Sequence, residues 1–225
     1  MKPRIKLAET TTSNGMRLAL TEHDGSYSIR LNGLDLMTSR AAASELYLGE
    51  LAGERLASRP NPRALVAGLG LGFTLKSLLE KLGKDAKVDV AELMPEVVDW
   101  NRRFLGNLNG ALLDDPRVEV HVEDVGNLIA AATRGEPYDA IVLDIDNGPT
   151  AMVQQENARL YSQSGIRRIL AALKPGGFVA VWSAGEDKLF EKRLRQEGFN
   201  TRTVPAKSHP SARRPVYVIY VGMKP

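Results

Sequence analysis

Two carboxylates two positions apart, Asp144 and Asp146, stand within the run AIVLDIDNGP. Four residues suited to a buried strand lead straight into them, and Asn147-Gly148-Pro149 then turns the chain. Acids at a strand end are rarely needed for packing. Such a carboxylate can attract a cation, or take a proton from an attacking amine, whose unperturbed pKa is about 10. Asp144 is the residue expected to do chemistry, and Asp146 either joins it or builds the turn.

A second set of residues points to a ligand. Gly68-Leu69-Gly70-Leu71-Gly72 follows a short apolar run and precedes a helical pattern. A glycine loop there lets a ligand approach bare backbone at a helix N-terminus. Glu92 comes 24 positions after Gly68, where an acid can accept hydrogen bonds from ribose hydroxyls. Asp124 follows a third strand-like run and can meet an adenine edge. The loop spacing is G-x-G-x-G, with Phe73 where a dinucleotide fingerprint carries its third glycine. An adenosyl nucleoside without pyrophosphate therefore fits better than a dinucleotide.

The elements that must carry these residues follow from periodicity. From residue 63 strands and helices alternate: ALVAG, a helix through Leu75, Leu78, Leu79 and Leu82, KVDVAEL, a helix from Pro95, VEVHV, a helix near 125–132, AIVLD, a helix through Ile166, Ile169 and Leu170, FVAVW, a helix near 188–196, and two closing strands. The rhythm and the apolar strands predict a Rossmann-like, doubly wound α/β fold with a mostly parallel sheet. Three parts are expected: a β-hairpin element over 1–39, turning at Asp24-Gly25; a linking helix within 40–62; and the nucleoside-binding domain over 63–225.

Composition narrows the classes. The chain has 225 residues and no cysteine, which excludes disulfides, thiolate metal sites and a cysteine nucleophile. Its three histidines show no metal-ligand spacing, and no metal is expected. A net charge of +3 is too mild to call for nucleic acid. The N-terminus lacks an apolar signal core and no segment reaches the ~18 apolar residues of a membrane span, so a cytoplasmic protein acting on a small molecule is expected. The basic stretch holding Lys207, His209, Arg213 and Arg214 reads as a solvated loop. Trp182 reads as a core lid, and Tyr161 as a packing residue.

The order ALVAGLGLGFTL, VDVAELMPEVV, VEDV, YDAIVLDIDNGP, LKPGG resembles the spermidine synthase family of class I S-adenosylmethionine-dependent transferases. The resemblance implies a seven-stranded sheet whose last strand is antiparallel, with Glu92 on the ribose, Asp124 on the adenine and Asp144 in the acid/base position. It also implies a donor, either S-adenosylmethionine or its decarboxylated form. Homodimerisation through the N-terminal element is compatible with the sequence. The chain departs from the family pattern at Leu71, where the family's G-G-G-D-G loop carries an acid for the donor amine, and in ASELYLGEL, which lacks the family's Tyr-His-Glu. A neutral loop tolerates a donor carboxylate, so methyl transfer from S-adenosylmethionine is the expectation. Aminopropyl transfer to a polyamine is the alternative, and a non-catalytic nucleoside sensor or partner subunit is a third reading.

Overall fold

The computed structural model describes residues 3–12, 15–145 and 158–225. Its N-terminal part is a four-stranded antiparallel meander of β1 (Ile5–Thr11), β2 (Arg17–His23), β3 (Ser26–Leu31) and β4 (Leu34–Thr38). Sequence reading places one hairpin here. Asp24 and Gly25 turn it with φ of 51° and 75°, pairing His23 with Ser26. The structure adds a second hairpin at Asn32-Gly33, with φ of 48° and 83°. Both pairs suit the left-handed conformations that a tight two-residue turn requires.

Helix α1 (Ala43–Leu56) links the meander to the main sheet. Its Leu48, Leu51, Ala52 and Leu56 are buried, as their helical spacing predicts. The main sheet contains β5 (Arg63–Ala67), β6 (Lys87–Ala91), β7 (Val118–His121), β8 (Tyr138–Leu143), β9 (Leu173–Ser183), β10 (Asn200–Ala206) and β11 (Tyr217–Met223). Their order across the sheet is β10-β11-β9-β8-β5-β6-β7. The pairs joining β9, β8, β5, β6 and β7 are parallel, whereas β11 runs antiparallel to β9 and β10. This is the expected doubly wound α/β sheet with an antiparallel last strand.

Between the strands lie α2 (Phe73–Lys81), α3 (Pro95–Phe104), α4 (Gly106–Asn109), α5 (Val125–Ala132), α6 (Gln163–Ala171) and α7 (Lys188–Gln196). All six residues of β8 are buried, because apolar clusters cover both faces of the sheet. Helix α1 lies unusually close to α2. A Cβ on Gly49 would collide with Ser77 Oγ and the Thr74 carbonyl, and one on Gly53 would lie 2.6 Å from Lys81 Cβ. Glycine at both positions permits this approach.

The opposite end of the sheet is tied by ions. Asp139, at the start of β8, accepts hydrogen bonds from Arg59 Nη1 (3.0 Å), the Arg63 amide (2.9 Å) and Lys174 Nζ (2.7 Å). No helix of the described residues is long and apolar enough to cross a membrane.

Candidate active site

The carboxyl ends of β5, β6 and β8 open onto one cleft of about 630 Å³, within the range of small-molecule sites. Gly68, Gly70, Leu71, Glu92, Asp124 and Asp144 line it, whereas Gly72 is not in the lining and faces Asn109 and Leu112. The three separated acids of the sequence reading do converge. Asp146, with the rest of 146–157, lies outside the described residues.

The glycine loop is fixed by close contacts. Gly68, Gly70 and Gly72 have φ of 86°, 49° and 85°, in the left-handed region that favours glycine. A Cβ on Gly68 would run into the Asp144 carbonyl, and one on Gly70 would lie 2.8 Å from Met37 Sδ. Two buried asparagines clamp the loop from α3 and α4. Asn101 Nδ2 donates to the Gly70 carbonyl (2.9 Å), and Asn109 Nδ2 donates to the Leu71 carbonyl (2.8 Å). Leu71 lines the cleft but is only 3% exposed, and it belongs to the hydrophobic core.

Glu92 follows β6 and binds the loop before any ligand does. Its Oε2 accepts from the Leu69 amide and its Oε1 from the Met94 amide, each at 2.9 Å. Burial pushes its carboxyl above the usual range, and these amides pull it part of the way back. Each oxygen keeps further acceptor capacity for a sugar hydroxyl. Asp124 is on the exposed rim and caps α5, its Oδ1 accepting from the Gly126 amide at 2.6 Å.

Asp144 faces an acid that sequence reading does not nominate. Glu45, in the first turn of α1, lines the same cleft. Burial, and then the Glu45 charge, push Asp144 up to about 7, against a hydrogen bond with Thr74. Burial raises Glu45 as well, against a 2.5 Å bond from Ser44 Oγ. Thr74 Oγ1 sits 2.5 Å from Asp144 Oδ2 and 3.1 Å from the Glu45 carbonyl. One hydroxyl proton cannot serve both acceptors. The shorter contact takes the proton: Thr74 donates to Asp144, which opposes the upward push on that carboxyl.

A signal for Glu45 does exist in the sequence. It precedes Leu48 by three positions and Ala52 by seven, so it falls on the buried face of α1. A charged residue on a buried helix face marks a site candidate. Among the described residues, six carboxylates line the cleft, namely Glu45, Glu92, Glu96, Glu123, Asp124 and Asp144, and no Lys, Arg or His does. The count of acids at the site is thus larger than the sequence implied.

The meander forms the roof. Leu18, Ile29, Leu31 and Met37 line the cleft from above, and Thr10 of β1 donates to Glu96 Oε1 of α3 at 3.0 Å. Trp182 is 9% exposed. Its ring centroid lies 4.9 Å from that of Tyr217 at a tilt of 47°, and it belongs to the core and also lines the cleft. Tyr161 is buried against Phe190 at 5.6 Å. Lys207, His209, Arg213 and Arg214 are exposed between β10 and β11, outside the lining.

A seven-stranded sheet of this order, with a glycine loop and strand-end acids around one cleft, defines the class I S-adenosylmethionine-dependent transferase fold. Residues 46–207 match the model of the spermine/spermidine synthase domain. The chain belongs to the spermine/spermidine synthase family. It is 31% identical over 165 residues to polyamine aminopropyltransferase 1 of Hyperthermus butylicus, covering 72% of this chain and 54% of that one. The chain thus spans about half the length of the curated relatives it matches. Spermidine synthase from Thermotoga maritima has a similar fold, with a TM-score of 0.71 at 20% identity over 98% of this chain and 73% of that one. Human methyltransferase-like protein 13, solved with SAH, aligns at a TM-score of 0.59 and 21% identity, over 82% of this chain and 81% of that one.

Proposed function

We propose that the protein transfers an aminopropyl group from decarboxylated S-adenosylmethionine to an amine. The observation that carries this reading is the acid-lined cleft, with no basic side chain among the described residues that line it. Such a lining favours a cationic donor end and a cationic acceptor, and offers a donor carboxylate no ion-pair partner. The name polyamine aminopropyltransferase carried by the relatives supports it. The methyl transfer expected from Leu71 is the second reading. Leu71 is packed into the core, which weakens the inference from its neutrality, because Glu45 supplies acid from another element.

In this reading Glu92 holds the ribose and the loop backbone shapes the floor. The acceptor nitrogen attacks the propyl carbon bound to sulfur. The C–S bond breaks, its electrons return to sulfur to leave a neutral thioether, and Asp144 takes the proton released by nitrogen. Positioning the two reactants supplies a large part of the rate.

Calorimetric titration with decarboxylated and ordinary S-adenosylmethionine tests the donor. A tenfold preference for the decarboxylated compound, about 1.4 kcal/mol, is expected. A preference for the ordinary one overturns the reading in favour of methyl transfer. With a diamine acceptor, Asp144→Asn should lower turnover by about 100-fold or more while donor affinity changes little.

A further inference from the structure

Away from the cleft, β6 and the edge strand β7 place three metal-ligating side chains together. Asp89 pairs with Glu119, and Ala91 with His121, in parallel register, so Asp89, Glu119 and His121 project from one face. Their ligand atoms all lie within 4.8 Å of one another. His121 Nε2 is 3.4 Å from Asp89 Oδ1 and 3.9 Å from Glu119 Oε1. A tetrahedral cation with bonds of about 2.1 Å spaces its ligands about 3.4 Å apart. The Asp89–His121 edge already has that spacing. The Glu119 side chain, 76% exposed, has room to close the other.

The wiring behind Asp89 is that of a ligand. Asp89 is buried, and its Oδ2 accepts from Arg63 Nη2 and from the Tyr138 hydroxyl, each at 2.7 Å. That leaves Oδ1 presented to His121. Metal-ligating carboxylates are held this way, with one oxygen anchored by outer donors. Arg63 is itself kept on the Oδ2 side. It donates to the Glu136 carbonyl, and its guanidinium lies 4.2 Å from the Tyr138 ring centroid. Two carboxylates against one guanidinium leave a net charge of about −1 with a neutral imidazole. One imidazole with two carboxylates suits the borderline divalent transition cations better than calcium or magnesium.

We propose that Asp89, Glu119 and His121 bind one divalent cation of the zinc or cobalt kind, fastening edge strand β7 to β6. The clip bears on the cleft, because the His121 carbonyl accepts from the Glu92 amide at 3.0 Å. The chain then runs from β7 directly into Glu123 and Asp124 of the lining. A plain Asp–His ion pair is the competing account, and it gives Glu119 no role.

Titration of the untagged chain with Co²⁺, read by visible absorption, and with Zn²⁺, read by calorimetry, separates the two. One saturating equivalent is expected. Glu119→Gln, an exposed substitution that leaves the fold intact, should weaken binding by about tenfold or more. His121→Ala should abolish it, and His209→Ala should leave it unchanged. Absence of a stoichiometric site overturns the proposal. So does binding that Glu119→Gln leaves unaltered, or binding that His209→Ala removes.

Discussion

Asp144 and Glu45 are two acids held in one desolvated place, and they cannot both ionise freely. As the proposed base, Asp144 works only when ionised, so turnover should rise with pH through about 7. Removing the Glu45 charge removes one of the causes of that elevation. In Glu45→Gln the rising limb of the pH–rate profile should therefore move to lower pH. An unmoved limb would separate Glu45 from the proton chemistry. The same pair governs stability. Asp144 binds its proton more tightly when folded than at its ordinary value of 3.8. Between 3.8 and about 7 the folded chain thus holds more protons, and its stability falls as pH rises through that window. Asp144 was legible because it ends an apolar strand. Thr74 escaped because only the packing of α1 on α2 brings it to Asp144, and Glu45, marked in the sequence only as an acid on a buried helix face, needs the same packing to meet it.

Among the elements, the glycine loop has the least tolerance. Gly68→Ala combines a φ of 86° with a Cβ driven into the Asp144 carbonyl. A loss of about 1–3 kcal/mol is expected in denaturant unfolding, accompanied by weaker donor binding in calorimetry. Wild-type donor affinity in this variant would mean that the loop does not shape the floor. Helices and buried strands were readable because periodicity reports local geometry. The start of β9 was not. Lys174-Pro175-Gly176-Gly177 looks like a turn, yet β9 begins at Leu173. Its register with β8 breaks between Tyr138 and Ala140, opposite Leu173 and Phe178. Proline is tolerated where the ladder is interrupted.

For the whole molecule, chemistry and anchorage occupy opposite ends of the strands. Burial alone would raise Asp139, but the Arg63 amide, Lys174 and Arg59 outweigh it and hold the carboxyl below its ordinary range. Its contribution is therefore present above 3.8 and is lost as pH falls. Asp139→Ala should destabilise by about 3 kcal/mol, the lower end for a broken buried pair, because Arg59 and Lys174 keep partial contact with water. Donor affinity should be unchanged; a parallel loss of affinity would show that the two ends are coupled. The doubly wound, mostly parallel class was legible from alternation, whereas the antiparallel last strand followed from the family resemblance. The roof was not, since nothing near Met37 in the chain announces that it will lie over Gly70.

Glu92 has one consequence for how the cleft discriminates. Both of its oxygens are already committed to backbone amides, so the acid cannot swing away when a nucleoside departs. In the proposed reading, where Glu92 holds the ribose, the sugar socket is rigid and does not sense what hangs from the sulfur. The same reading puts discrimination among acceptors at the far side, where Asp144 and Glu45 can change their shared charge by one proton, and an acceptor's residence time should follow the charge of its amine.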